Sequence, residues 1–167
     1  MSTSGGALPV ETITAGSGIT VTDPSGPDAT VTAVSAQTIS AALAADVALT
    51  AATQAVLITT ASLAVGIWNV LWEATVENGG ATAGTIEVAV VEGTGVTNGW
   101  YGAASGQAEL PALTGGAASV GGGVTINVTT AGTFELVVTS SVAATAKALT
   151  PTTAYQAASG IACLRVT

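Results

Sequence analysis

From Val47 onward apolar side chains fall on every second residue, and that period restricts the fold more than any other feature of the chain. Successive side chains of an extended strand point to opposite faces, so a two-residue period builds strands with one face to bury. Trp68, Val70, Trp72, Ala74 and Val76 share one such face, while Asn69, Leu71, Glu73, Thr75 and Glu77 share the other. Asn78-Gly79-Gly80 then ends the run with residues that tolerate turn dihedrals. Ile86, Val88 and Val90 repeat the inward set, as do Val124, Ile126 and Val128, and after Thr130-Ala131-Gly132 so do Phe134, Leu136 and Val138. A last strand over Ile161 to Val166 sets Ala162, Leu164 and Val166 against Cys163 and Arg165. Many strands, Gly-rich turns and no long amphipathic helix between them predict an all-β protein of antiparallel sheets packed face to face, a sandwich or jelly roll. Gly115-Gly116 and Gly121-Gly122-Gly123 are expected to shape loops and sheet edges, since no phosphate-binding strand-loop-helix pattern surrounds them.

The first 46 residues read differently. Met1 to Pro9 is small and polar with nothing to bury. Ile19, Val21 and Thr30 to Val34 alternate around Asp23-Pro24-Ser25-Gly26-Pro27-Asp28, which predicts a short β-hairpin arm. Two strands cannot shelter an apolar face, so the arm calls for a partner surface, and Ile13, Ile19, Val21 and Val31 are its attachment candidates. Ser35 to Asp46 is Ala-rich with Ile39 and Leu43 four apart, and reads as a short helix or an irregular connector. The expected division is therefore an arm, hairpin and connector over 1–46 and a sandwich domain over 47–167.

Charged residues make up only 7% of the chain, against roughly 25% in a typical soluble domain. Ten acidic residues face Lys147 and Arg165, for a formal charge of -8, which argues against nucleic acid or an anionic membrane as a partner. The apolar stretch Val56 to Val76 is too interrupted by polar residues to span a bilayer, and Met1 to Gly6 lacks the basic start of a signal peptide. Trp68, Trp72, Leu71, Phe134 and Leu136 are candidates for the core or for a trimer contact. Leu57, Leu71, Val91 and Val137 lean outward if the period is read simply. Either the second face is covered by another subunit, or two-sheet packing buries some of these and the others are scattered exposed apolars.

The residues offer little for catalysis. Histidine is absent, which removes the commonest general base and zinc ligand, and no metal or cofactor set is expected. Glu73 and Glu77 share a strand face, with Glu87 across from them if the next strand pairs directly. Four residues along a strand separate carboxylates by roughly 13 Å, beyond the ~5–9.5 Å that paired carboxylate chemistry uses. Asp23 and Asp28 lack the spacing of a calcium loop. Cys163 has no partner for a disulfide and reads as a small buried or near-surface hydrophobe, not a nucleophile. Trp100-Tyr101, in an expected loop after Thr94 to Gly99, either stacks on a sugar or a partner protein, or Trp100 plugs the sandwich end or a subunit interface.

A likeness to a family enters on particular residues. Gly16 to Thr22 resembles the short β-rich linkers of tailed-bacteriophage fibres and surface proteins. Val65-Gly66-Ile67-Trp68-Asn69-Val70, Glu73 to Asn78, Gly84 to Val88, the stretch Thr145 to Tyr155 and the closing Ala162 to Val166 together resemble the jelly-roll domain, similar to tumour-necrosis-factor and C1q heads, of phage decoration, head-fibre and tail-fibre proteins. The resemblance implies a homotrimer packed through one sheet face and mounted by its arm on the major capsid protein. It further implies a structural, non-enzymatic virion protein on the outer capsid surface. A tail- or head-fibre tip that binds host surface glycans or proteins through Trp100 and Tyr101 is the alternative.

Overall fold

The computed structural model describes residues 19–22, 30–33, 37–148 and 159–166. Its contacts divide the chain into one unit of Met1–Ala36 with Thr167 and a second of Gln37–Val166. In the first, β1 (Ile19–Thr22) and β2 (Thr30–Ala33) form a two-stranded antiparallel sheet with Ile19 opposite Ala33 and Val21 opposite Val31. The expected hairpin strands are thus present, while its turn and Ile13 lie outside the described residues.

The second unit is an antiparallel sandwich, and its strands are β3 (Thr38–Ala42), β4 (Val47–Leu49), β5 (Gln54–Thr59), β6 (Gly66–Asn78), β7 (Gly84–Glu92), β8 (Val96–Tyr101), β9 (Ser105–Leu110), β10 (Ala117–Thr130), β11 (Phe134–Ser140), β12 (Ala144–Ala146) and β13 (Gly160–Arg165). The larger sheet runs β3-β13-β6-β10-β8, with β12 joining β6 beyond β13 and β4 outside β12. The smaller sheet runs β5-β11-β7-β9. From β5 to β11 each strand lies in the sheet opposite its predecessor, so the Gly-rich turns are arches over the core edge and not hairpins.

Alternation explains the core. The predicted inward residues of β6, β7, β10 and β11 are all buried and belong to one cluster fed by both sheets, with Trp68 and Leu136 fully enclosed. Each such side chain is worth roughly 1.5–3 kcal/mol when removed from water. The indole of Trp68 also donates to the Ala64 carbonyl at 2.9 Å, satisfying its polar end.

Several sequence expectations are corrected. Thr38–Ala42 is neither helix nor connector: it pairs with β13, setting Ile39 beside Cys163, and so belongs to the sandwich unit. Ala-rich composition favours a helix only when no sheet edge competes, and here the edge of β13 supplies a full ladder. Gly121–Gly123 lies within β10 in the stretch that pairs with β6 alone, before the β8 ladder begins at Thr125, so these glycines do sit at an open strand edge, and a Cβ on Gly122 would stand 2.7 Å from the Trp72 ring. Leu57 and Val137, which lean outward on a simple reading of the period, are buried within the chain, as the alternative of two-sheet packing expects. The ladder between β5 and β11 shifts at Val137, pairing Leu136 with Ile58 and Val137 with Val56, so Leu57 is the extra residue of a bulge and joins Ile58 in the core.

One junction shows how the long β6 is partnered. Its pairing with β13 ends at Glu73 and its pairing with β12 begins at Val76. Between them the Thr75 N–H donates to Ser159 Oγ at 3.1 Å, the Thr75 carbonyl accepts the Lys147 N–H at 2.9 Å, and Ser159 Oγ–H donates to the Lys147 carbonyl at 2.9 Å. A buried serine thus replaces the missing rung and leaves no backbone group of Thr75 stranded.

Candidate functional site

The outer face of the larger sheet is the surface that the core does not explain. Along β6 the outward residues are Ile67, Asn69 and Leu71, which is 62% exposed. On one flank the register sets Ala162 of β13 beside Leu71 and Leu164 beside Asn69. On the other it sets Gly123 of β10 beside Leu71 and Thr125 beside Asn69. Val166, just beyond β13, donates its N–H to the Ile67 carbonyl at 2.8 Å and completes an exposed apolar row of Ile67, Leu71, Leu164 and Val166. Because Gly123 and Ala162 carry almost no side chain, the surface around Leu71 sinks into an open hollow of about 350 Å³. Thr125 Oγ1 donates to Asn69 Oδ1 at 2.8 Å, so the polar groups there are neutral and already oriented.

Sequence reasoning named Leu71 without deciding between core and contact, and the structure places it outward. Leu164 and Val166 were legible as sharing a face. Which face looked out depended on Cys163 turning into the core, which the sequence did not reveal. Trp68, Trp72, Phe134 and Leu136 are all buried, which sets them apart from Leu71.

Charge is distributed differently on the two sheets. Glu87, Glu109 and Glu135 lie on the outer face of the smaller sheet, opposite Gln107, Thr85 and Val91 respectively. Glu87 therefore does not lie across from Glu73 and Glu77: β6 and β7 belong to different sheets, and the arch carries Glu87 to the opposite side of the sandwich. Glu77 instead neighbours Lys147 Nζ at 3.7 Å. Lys147 also bonds Asp46, whose carboxyl is held below its ordinary value first by that hydrogen bond and then by the Ala148 N–H. The same bond raises Lys147 above its ordinary value. This exposed cluster ties the loop before β4 to the end of β12.

Trp100 lies in edge strand β8, not in a loop, and meets Phe134 edge-on with ring centroids 5.9 Å apart. That contact makes it a half-buried plug on the core; the Tyr101 side chain lies outside what the structure describes. Ile19, Val21 and Val31 lie on the strands of the two-stranded sheet. Cys163 is enclosed, and burial pushes its thiol up to about 11.

Asn78 was read only as a turn residue, yet it is a buried hub. Its Nδ2 donates to the carbonyls of Thr82 and Pro111 at 2.8 and 2.7 Å, and its Oδ1 accepts the Gly80 N–H at 2.9 Å. A polar residue ending an apolar run just before Gly-Gly was the available signal. No protein-family model matches this chain, and no curated protein matches it.

Proposed function

We propose that the protein is a structural component of a phage-like particle, a trimeric decoration protein that binds the outer capsid surface through its N-terminal arm. The observation that carries this reading is the division of the chain: a sandwich with its own core, and a second unit whose described residues form a two-stranded sheet. Strands of four residues cannot form a stable unit alone in water, so the arm needs a surface to complete it. Three arms on one trimer would bind cooperatively by effective concentration, each contact being weak.

Strand order supports the jelly-roll part of the reading. Counting β3, β5, β6, β7, β9, β10, β11 and β13 as first to eighth, the larger sheet runs first-eighth-third-sixth and the smaller runs second-seventh-fourth-fifth. Two Greek keys folded over one core give that order. The engagement of Trp100 with Phe134 favours packing over sugar stacking, which weighs against a glycan-binding tip.

The test is removal of residues 1–36 followed by cosedimentation with capsids lacking this protein. The truncated chain is expected to stay folded and to lose capsid binding at least tenfold, about 1.4 kcal/mol. Undiminished occupancy would rule out the arm as the anchor.

A further inference from the structure

We infer that the free edge of β10 over residues 117–122 is a docking site for an extended segment of another protein, which joins the larger sheet as an added strand and sets a basic side chain beside Glu73. This contact is separate from the attachment through the arm and does not depend on it.

The backbone comes first. The ladder between β10 and β8 begins at Thr125, so residues 117–122 pair with β6 alone. In that ladder Ser119 stands opposite Thr75, whose N–H and carbonyl are turned to Ser159 and Lys147 on the far side of β6. Residues directly opposite in an antiparallel pair exchange both bonds or neither, so Ser119 also turns its N–H and carbonyl away from β6, to the open side. The bond from the Asn78 N–H to the Gly116 carbonyl fixes the same phase, and alternation extends it to Ala117 and Gly121. Their backbone groups line an edge roughly 20 Å long. Ala117, Ser119 and Gly121 are all exposed. Open edges are commonly blunted by charged side chains or proline, and residues 117–122 carry neither. Gly121 and Gly122 instead let another backbone approach closely.

Charge selects the occupant. Glu73 stands opposite Gly121, and its Cβ and Cγ lie 3.5 Å from where a Gly121 Cβ would be, so no side chain separates it from the open edge. Among the described residues Glu73 has no ion pair. An added strand runs about 9.6 Å from β6, two strand spacings, and a Lys or Arg opposite Gly121 is long enough to reach that carboxylate. The chain cannot supply this cation to itself. Its basic side chains are Lys147, bound to Asp46 and Glu77, and Arg165, fixed on β13 opposite Trp68. The partner is therefore a different protein with a basic segment, which a net charge of -8 also attracts.

Trp72 adds an independent feature. Its Nε1 is buried with no hydrogen-bond partner among the described residues, and Cε2, the ring atom bonded to it, lies 3.0 Å from the Cβ position of Gly122. A buried donor left unpaired is costly, so an acceptor such as threonine next to the basic residue, carried in over Gly122, is favoured.

Residue-resolved hydrogen exchange on the full chain tests this, with the peptide Thr-Val-Thr-Lys-Thr-Val-Thr as probe. The amides of Ala117, Ser119 and Gly121 are expected to exchange freely in the protein alone and to slow at least tenfold at saturating peptide. Those of Ala118, Val120 and Gly122, already bonded to β6, should change little. Glu73→Gln is expected to weaken binding about threefold, the size of an exposed ion pair, and to leave unchanged the binding of a peptide with Gln in place of Lys. Ala117→Pro removes an outward N–H and no bond to β6, so it should weaken both peptides. Circular dichroism is the folding control, and should Ala117→Pro fail to fold, the exchange pattern and Glu73→Gln still decide. No alternating protection with peptide, or equal weakening of both peptides by Glu73→Gln, would overturn the inference. Protection of the edge without peptide would also overturn it, in favour of cover by this chain or by a second copy.

Discussion

Cys163 shows what one position contributes and how its chemistry is suppressed. It turns inward from β13 between the neighbouring residues Val70 and Ile39, and with no charge nearby to favour a thiolate its ionisation is opposed by burial alone. A rise from 9.0 to about 11 leaves roughly 100-fold less thiolate at pH 8 than in the unfolded chain. Alkylation of the native protein at that pH is expected to be slower than in urea by at least that factor, and equal rates would show that the strand is open to solvent. The sign of the linkage follows from the raised value. Below pH 9 the thiol is neutral folded or unfolded, whereas from pH 9 to about 11 the unfolded chain deprotonates first, so stability falls as pH rises. Urea midpoints of wild type and Cys163→Ala across that range isolate the effect, since the difference between them should change only there. Lys147 is held charged above its ordinary value, and the stability from its Asp46 bond is likewise lost as pH rises past that raised value. Asp46 acts at the opposite end: its contribution is complete above its ordinary value of 3.8 and is lost as pH falls through its lowered one.

At the scale of the element, the pairing of β6 with β10 is the centre of the larger sheet, with an unbroken register from Gly66 opposite Val128 to Glu77 opposite Ala117. Gly122 stands opposite Trp72 and has no Cβ because the indole occupies that place: a methyl there would meet Cζ2 at 2.7 Å and Cε2 at 3.0 Å. Gly122→Ala is therefore expected to cost about 1–3 kcal/mol in urea unfolding, as overpacked cores do. A midpoint unchanged from wild type would mean that Trp72 does not lie over this strand. Legibility divided along the same lines. The inward sets of β6, β7, β10 and β11 could be read from the sequence because a two-residue period survives wherever one face is buried. β3 could not, since Ala41 and Ala42 carry no pattern strong enough to oppose helix propensity and its strand state comes from pairing with β13 more than a hundred residues later. The bulge at Leu57 was equally hidden, because one inserted residue reverses the apparent face of its neighbours.

For the whole molecule, period and turn residues were enough to predict two antiparallel layers, but not which strands would be neighbours. Arches that carry successive strands between the sheets sent Glu87 away from Glu73, and no local signal distinguishes such an arch from a hairpin. The candidate site was legible for the same reason only in part: Leu71 was visible as outward, while its neighbours Gly123, Ala162 and Leu164 come from two other strands, β10 and β13. What emerges is a sandwich with Glu87, Glu109 and Glu135 on the outside of the smaller sheet and an uncharged, partly apolar patch around Leu71 on the outside of the larger, with Glu73 and Glu77 farther along the same face, and a small two-stranded unit as a second body. The most direct measurement is electron microscopy of the parent particles labelled with an antibody to residues 37–148. Label spread over the whole capsid is the predicted result, and label confined to the tail, or absent from intact particles, would contradict the account.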